Sequence, residues 1–421
     1  MANKIYVADK ATLDQTKANT DAILAAVGGS DNPMAGVKRY GIKINKLDSN
    51  PETRVTYILD AEGFTPARMN FTAGTFDVGS WGDIWFIRDN YPVMCKYDGT
   101  EDFKLSKTDH TKKEDGTTAS GIAVTTYAGN AMSAMPKVWM SQYNIGNYDY
   151  IVVCEQQYDA TFYADPCVRA DGTMADKWYL PMFKGASDGT RLRSIAGMQP
   201  VASKNAAEEI ALAEANGAKW STKSWSAVNM LSCLIALITK SDNGQTALGN
   251  GCLNYKSEES PYYGVQVTGT ATDKGQFFGA NDNTHTVKAF YCEDVWANQL
   301  DRLRGLILKN GHTLVKMTPP YNLTGDGYTD VGITWPATGE GYIKDSKMCR
   351  YGRIPITRGG SESTYQCDYT WQNITVTAVA LFGGSVYAGS WCGPWCLSLD
   401  RSAGFAYWGI VASLSLEQPA A

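Results

Sequence analysis

One stretch near the C-terminus constrains the fold more than any other part of the chain. Residues 381–414 read LFGGSVYAGSWCGPWCLSLDRSAGFAYWGIVASL. Between Gly383 and Val411 there are six aromatic residues, one Asp and one Arg, with no Lys or Glu. Rigid aromatics combined with small hydrogen-bonding side chains are typical of protein binding surfaces. The stretch therefore predicts a glycine-rich scaffold that carries a contact surface.

Two groups of residues are interleaved in this stretch. The predicted scaffold supplies turns, a buried face and a closing end, through Gly383, Gly384, Gly389, Gly393, Leu397, Leu399, Trp408, Ala412 and Leu414. The predicted ligand-binding residues are Ser385, Tyr387, Ser390, Trp391, Trp395, Cys396, Ser398, Asp400, Arg401, Phe405, Tyr407 and Gly409. The alternative is an ordinary aromatic sheet end with these side chains in the core. So glycine-rich a loop cannot cover all of its aromatics, and we expect some to face solvent or a partner.

The frame GG…G…G…L…W…G.ASLS in this stretch resembles the variable region of the target proteins of diversity-generating retroelements. That resemblance implies a C-type-lectin-like domain, related to the formylglycine-generating-enzyme fold, whose last segment is rewritten by adenine-specific mutagenesis. Mutating both adenines of an Asn codon gives residue types found at Ser385, Tyr387, Ser398, Asp400, Phe405, Tyr407 and Gly409. Trp391 and Trp395 need another template codon or a fixed status.

The resemblance extends over roughly residues 140–421 and includes EANGAKW at 214–220, KSDNGQTALGNG at 240–251 and VKAFYCEDVWANQLDRLRGL at 287–306. The third segment takes the place of a G(I/V)ENxWGNVWEW strand in relatives of the formylglycine-generating enzyme. Glu293, Trp296 and Asn298 match its Glu, Trp and Asn, whereas Ala297 replaces a Gly. We expect these residues to build the core, with Trp296 buried and Asn298 bonded to backbone.

The remainder of the chain predicts an α+β protein with three parts. Residues 1–36 form an attachment helix and a linker, because 9–27 carries a capping box at Thr12 and Gln15 and a short heptad seam at Leu13, Thr16, Thr20, Ile23 and Val27. About two heptads are too short to associate alone, and a helix lying on its own domain is an equal alternative. Residues 37–135 predict a small β-rich domain, and the stretch YGIKINKLDSNPETRVTYILDAEGFTPARM within it resembles a domain common in phage tail fibres. Residues 136–421 predict the C-type-lectin-like domain, with an amphipathic helix at 205–216 and a buried helix at 225–240.

Composition and motifs exclude several kinds of function. A net charge of −5 without a basic cluster gives no nucleic-acid footprint. The longest apolar run, Met230–Ile238, is too short to span a bilayer, which needs about 20 residues. His110, His285 and His312 are expected on loops or the surface, with 107–118 an exposed polar loop. No catalytic, phosphate-binding or metal-binding motif occurs, so we expect no catalysis, no metal and no cofactor.

The ten cysteines leave two readings open. An even number of widely spaced cysteines fits either disulfides or buried thiols in a reducing compartment. Cys392 and Cys396 are close enough in sequence to pair. Formylglycine-generating enzymes use paired cysteines, so an enzymatic relative acting through Cys392 and Cys396 is one alternative, although the C-G-P-W-C context departs from that family.

The resemblance implies a receptor-binding protein of the phage tail-fibre or surface-display type. It would be made in the bacterial cytoplasm, reside in the virion as a homotrimer, and bind a target-cell surface protein or glycan through a variable segment at about 383–411. A structural virion protein without a variable ligand site is the other alternative.

Overall fold

A computed structural model of the chain describes residues 34, 36–257 and 261–417. The predicted helix at 9–27 and its heptad seam lie outside the described residues. Contacts divide the chain into one unit at Met1–Lys38 and a second at Arg39–Ala421. Every element described below belongs to the second unit.

Of the described residues, 12% are helical and 35% are in strands, so the fold is mostly β with few helices. This agrees with the β-rich part of the predicted α+β architecture. The helices are α1 (Trp85–Arg88), α2 (Ala206–Glu214), α3 (Trp225–Thr239) and α4 (Gly244–Leu248). The strands are β1 (Arg39–Asn45), β2 (Val55–Leu59), β3 (Arg68–Asn70), β4 (Thr75–Asp77), β5 (Tyr91–Lys96), β6 (Glu101–Lys104), β7 (Gly129–Pro136), β8 (Trp139–Ile145), β9 (Tyr148–Cys154), β10 (Lys177–Pro181), β11 (Ala186–Ser187), β12 (Leu192–Arg193), β13 (Trp220–Thr222), β14 (Lys288–Ala289), β15 (Cys292–Glu293), β16 (Leu300–Lys309), β17 (His312–Val315), β18 (Thr329–Thr334), β19 (Gly339–Cys349), β20 (Gly352–Arg358), β21 (Tyr369–Gln372), β22 (Ala378–Phe382), β23 (Leu397–Leu399), β24 (Ile410–Val411) and β25 (Leu414–Leu416).

Three larger sheets organise these strands. The first has the order β2-β1-β9-β8, and the second has the order β13-β25-β10-β7-β5-β6. The third runs β18-β17-β16-β22-β23-β21-β19-β20, with β24 beside β16. Strand β1 pairs with β9, and β7 lies between β5 and β10, so strands on both sides of the predicted 135/136 boundary share sheets. Residues 37–135 therefore do not form a compact unit of their own.

Helix α3 lies in the core, as its apolar sequence predicts. The Ser224 side chain caps its N-terminus by accepting a hydrogen bond from the Ala227 amide, and Lys240 ends it in a left-handed conformation. All 15 residues of α3 are buried. Helix α2 is shorter than predicted and begins with a capping box between Asn205 and Glu208.

Segment 290–298 is unusually rich in left-handed backbone. Positive φ angles occur in Phe290, Tyr291, Asp294, Ala297 and Asn298, all of them buried. Non-glycine residues pay about 1 kcal/mol or more for this conformation. Ala297 has a φ of 63°, a value that glycine adopts readily, and it stands where the resembling motif has Gly.

The motif residues in this segment are structural, as predicted. Trp296 is fully buried and its Nε1–H donates to the Gly249 carbonyl at 3.2 Å. The Asn298 Oδ1 accepts the Gln266 amide proton at 2.9 Å. The Glu293 carboxylate accepts the amide protons of residues 269–271. Together they fix a buried loop next to the ligand-binding candidates.

Two further predictions concern membranes and histidines. Within the described residues, no helix is both long and apolar enough to cross a membrane. His285 and His312 are exposed, but His110 is buried although it lies in the polar segment 107–118. Its Nε2 accepts a hydrogen bond from the Lys288 ammonium at 2.8 Å, and its Nδ1 lies 2.8 Å from the Ser106 carbonyl. His110 therefore lies in a loop, as predicted, but its ring is buried rather than on the surface because the buried Lys288 binds it.

Candidate ligand-binding surface

The predicted variable segment, 383–411, runs from the end of β22 through a glycine-rich turn, β23 and a loop into β24. Its predicted scaffold glycines all have positive φ, as turns require. A Cβ on Gly384 would lie 2.3 Å from the Cys392 Sγ, and one on Gly393 would lie 2.1 Å from the Asp368 Oδ1. Gly389 has open space around its Cβ position. The turns at Gly384 and Gly393 are therefore packed too tightly for any side chain.

Side chains from outside the segment hold its first half through main-chain atoms. Gln245 donates from Nε2 to the Cys392 carbonyl at 2.7 Å. The Asp368 Oδ2 accepts the Trp395 amide proton at 2.6 Å, and the Thr370 hydroxyl donates to the Leu397 carbonyl at 2.7 Å. Because these bonds end on backbone atoms, they do not depend on which side chain the bonded residue carries.

The second half, residues 400–409, is held in the same way. The Arg302 Nη2 donates to the Phe405 carbonyl at 2.8 Å, and the Gln299 Nε2 donates to the Trp408 carbonyl at 2.6 Å. Further main-chain bonds run from residue 203 to the Tyr407 carbonyl at 3.2 Å and from residue 300 to the Gly409 carbonyl at 2.9 Å. The loop path is thus fixed from β16 and from the entry to α2.

Arg302 is itself held by a buried ion pair. Its Nε donates to the Glu209 Oε2 on α2 at 2.6 Å, and both side chains are almost completely buried. Burial raises the pKa of Glu209 to about 7, against the opposing effect of the Arg302 charge. Arg302 also donates to the Lys204 carbonyl at 3.2 Å. One guanidinium therefore ties α2 to the loop that carries Phe405.

Side chains of the segment and two tyrosines from an upstream loop form a continuous patch, which we call the aromatic surface: Tyr255, Tyr263, Tyr387, Arg401, Phe405, Tyr407 and Trp408. Tyr387 is 64% exposed and Tyr407 is 43% exposed. Ring centroids lie 5.1 Å apart for Tyr255–Tyr387 and for Tyr407–Trp408, and 6.0 Å apart for Phe405–Tyr407. The Arg401 guanidinium lies 4.6 Å from the Phe405 ring centre. Exposed aromatic patches of this kind mark interaction sites.

Trp391 and Ser390 lie in a second cluster on β19 and β21. The Trp391 ring stacks on Tyr369 with centroids 4.8 Å apart and meets Trp371 at 5.9 Å. The Ser390 Oγ lies 2.8 Å from the Tyr342 hydroxyl. These side chains are half-buried, so they line the surface without projecting from it.

Five predicted contact residues are buried, which corrects the prediction for Ser385, Trp395, Cys396, Ser398 and Gly409. The Trp395 ring lies beneath the Arg353 guanidinium, 4.6 Å from it. Ser398 lies within β23 and hydrogen-bonds to the half-buried Asp400. None of the five can touch a ligand in this structure.

Sequence reasoning also missed aromatic members of these clusters. Tyr255 and Tyr263 come from a loop more than 100 residues upstream, and Tyr342, Tyr369 and Trp371 come from neighbouring strands. No local spacing connects them to the segment, because the fold alone brings them there. Trp408, predicted as scaffold, is half-buried against Cys252, Val265 and Val386 and stacks on Tyr263 at 4.4 Å.

The thiols of Cys392 and Cys396 are buried and unpaired. Burial raises the pKa of both thiols, and Cys392 donates weakly to the Ser385 carbonyl at 3.5 Å. Reactive cysteines need an accessible thiolate, which this environment opposes. In the described part of the chain, no cluster of His, Cys, Asp and Glu could hold a metal ion.

The arrangement at this surface is suited to contact with a ligand. It offers aromatic faces and edges, tyrosine hydroxyls and one exposed guanidinium above a hydrogen-bonded backbone frame. No protein-family model and no curated protein matches the chain. The functional argument therefore rests on the site itself.

Proposed function

We propose that this protein is a diversified ligand-binding protein of the phage-tail or surface-display type, which recognises a target-cell surface protein or glycan through residues 383–411. The proposal includes a C-type-lectin-like scaffold and rewriting of the segment by a diversity-generating retroelement. One observation carries it. Scaffold side chains hold the segment through its main-chain atoms, as in the bonds from Arg302, Gln299 and Gln245.

This anchoring separates stability from recognition. Changes to outward side chains leave the anchoring bonds in place, and substitutions at such surface positions typically alter stability by about 0.5 kcal/mol or less. Tyr387, Arg401, Phe405 and Tyr407 are the contact residues in this proposal, with Ser390, Trp391 and Asp400 at their margin. A few aromatic anchors and one arginine are the residue types that dominate binding energy in protein interfaces.

Self-association completes the proposal. The family resemblance implies a trimer assembled in the virion. Several weak sites on one oligomer raise avidity by roughly 10²–10⁴ when the geometry permits simultaneous binding. A protein whose contact side chains are drawn at random benefits from this gain, because most variants bind weakly.

The coding locus provides the decisive experiment. Sequencing it in sister isolates should reveal substitutions concentrated at the outward positions 387, 401, 405 and 407, and few at the buried glycines Gly384 and Gly393. A reverse transcriptase gene and a near-copy of the segment differing only at adenines should lie nearby. Isolates with an unvarying segment, or with variation spread evenly over the chain, would favour the structural virion protein instead.

A further inference from the structure

The outer face of the sheet β2-β1-β9-β8 departs from the usual pattern. Its inner face packs Ile42, Ile44 and Ile151 into the core. The outer face of such an antiparallel sheet is normally polar. Half of this outer face is covered by other parts of the chain, since Val152 is buried and the Ser141 hydroxyl donates to the Thr161 hydroxyl at 3.1 Å. The other half is open and apolar.

We call this open half, together with the adjoining turn, the outer-face patch: Lys43, Leu47, Tyr143, Ile145, Tyr148 and Tyr150. Leu47 is 71% exposed and Ile145 is 62% exposed. Leu47 is more exposed than any aromatic side chain of the ligand-binding segment. Strand register places Tyr143 opposite Tyr150 and Ile145 opposite Tyr148. An exposed cluster of this kind marks an interaction site, whereas scattered apolar residues do not.

The outer-face patch is rigid. The Tyr143 and Tyr150 rings stack with centroids 4.9 Å apart and planes 8° from parallel. The Asn144 side chain donates to the Tyr148 carbonyl at 3.0 Å, closing the hairpin turn. The Lys46 amide donates to the Asn147 carbonyl at 2.9 Å and joins the two turns. A partner would therefore bind without ordering this surface first.

We infer that the outer-face patch is an interface with another copy of this chain. The charges beside it favour a self-complementary contact. Lys43 lies over the Tyr148 ring at 5.6 Å, and Asp48 follows Leu47 in the turn. The Asp48 carboxylate accepts hydrogen bonds from the Asn50 amide at 2.9 Å and the Thr53 hydroxyl at 2.7 Å, which fix it in the turn. Neither Lys43 nor Asp48 forms an ion pair among the described residues, so a second copy can supply each with an opposite charge.

The position of the patch in the chain supports the same occupant. Strand β1 is the first element after residues 1–33, which precede the described part and carry the predicted heptad seam. A seam of two heptads needs further self-contact to hold an oligomer, and β1 contributes Lys43 to the outer-face patch. The inference deepens the self-association within the proposed function and shares no residue with the aromatic surface.

Analytical ultracentrifugation of the full chain between about 1 and 100 μM tests the interface. The parent should associate, and the double variant Leu47→Lys/Ile145→Lys should dissociate with a Kd raised roughly 10-fold or more, because each lysine would be buried at the contact. The matched control Val124→Lys/Val267→Lys changes two apolar side chains exposed elsewhere and should associate like the parent. A monomeric parent, or a patch variant that associates as strongly as the parent, overturns the inference.

A milder variant guards against misfolding. Tyr148→Ser keeps the hairpin backbone bonds and should melt close to the parent while still weakening association. Tyr387→Ser/Phe405→Ser/Tyr407→Ser should leave association unchanged. Loss of association in that ligand-surface variant would place the interface on the aromatic surface and overturn the inference. The proposed function is tested by sequencing the coding locus, and this interface is tested by the association of the purified protein. Either proposal can therefore be overturned while the other stands.

Discussion

Replacing the buried Arg302 should destabilise the protein far more than removing the exposed Tyr387 and Tyr407 together with the half-buried Phe405. The two changes affect the same loop from opposite sides. Arg302 binds its backbone from within, through the Phe405 carbonyl, whereas Tyr387, Phe405 and Tyr407 project outward. The comparison therefore tests whether main-chain anchoring carries the stability of the segment.

The expected cost of Arg302→Ala follows from its contacts. Loss of one partner of a buried ion pair, here with Glu209 at 2.6 Å, costs about 3–5 kcal/mol because it leaves the Glu209 carboxyl buried without its partner. The carbonyls of Phe405 and Lys204 each lose a donor as well, at roughly 1 kcal/mol apiece. The sum is about 5–7 kcal/mol.

The triple variant Tyr387→Ser/Phe405→Ser/Tyr407→Ser should cost far less. Each surface change contributes about 0.5 kcal/mol, and the ring pairs Phe405–Tyr407, Tyr407–Trp408 and Tyr255–Tyr387 are lost from a solvated surface. We expect a total of about 1–2 kcal/mol. The loop path should persist because all of its anchoring bonds end on main-chain atoms.

Urea unfolding followed by circular dichroism and tryptophan fluorescence gives both values. Arg401→Ala is the matched control for Arg302→Ala. It also removes an arginine, but Arg401 lies within the segment 383–411 and its side chain is 49% exposed. It should lower the unfolding midpoint only slightly. A triple variant as unstable as Arg302→Ala would refute the reasoning, because the outward side chains would then belong to the core.

Three further outcomes are expected. Gly384→Ala should prevent stable folding or lower the melting temperature strongly, because a Cβ there has no room. Gly389→Ala has open space at its Cβ, so it should lower the free energy of unfolding by only the roughly 1 kcal/mol that left-handed backbone costs a non-glycine residue. Equal melting temperatures for the two variants would contradict the packing at Gly384. Burial and, secondarily, the Lys288 charge lower the pKa of His110 to about 3, below its ordinary 6.5, so its neutral ring stabilises the fold above pH 6.5 and that contribution is lost as pH falls towards 3. Between pH 6.5 and 3, the free energy of unfolding of the parent should therefore fall by up to about 1.4 kcal/mol per pH unit more than that of His110→Gln. If the two proteins lose stability in parallel as pH falls, His110 is not a buried neutral histidine. In native protein, Cys392 and Cys396 should resist a thiol reagent such as dithionitrobenzoate and react only on unfolding; rapid labelling abolished by Cys392→Ser would revive the thiol-based alternative.

Local pattern was enough to predict several features of this chain. Helix α3 is buried all round, as its unbroken apolar sequence indicates, and it begins at the predicted residue. Gly384 and Gly393 are turn residues that tolerate no side chain. Trp296 is in the core. Each of these features left a signal in the residue types of its own stretch of sequence, although distant contacts such as Asp368 against Gly393 complete the packing.

Other features depend on contacts between distant parts of the chain and left no local signal. Trp395 reads like an exposed loop aromatic, yet Arg353 covers its ring and Asp368 binds its amide, both from other strands. His110 lies in a charged segment but is bound by Lys288, 178 residues away. The predicted domain boundary at 135/136 fails for the same reason, since strand pairing across it cannot be read from composition.

The way the segment is anchored explains why polar groups are buried beneath it at all. An apolar core surface beneath the segment would have to match the shape of each new side chain, because packing energy depends on complementary surfaces. Arg302 and Asp368 instead bind a carbonyl and an amide that every non-proline residue presents in the same place. Their desolvation is costly, and burial raises the pKa of Asp368 well above its ordinary value. In the proposed diversified protein that cost would be the same for every version of the segment, whereas the cost of mismatched packing would change with each one. A loop held by its backbone can therefore change its outward residues without moving its frame.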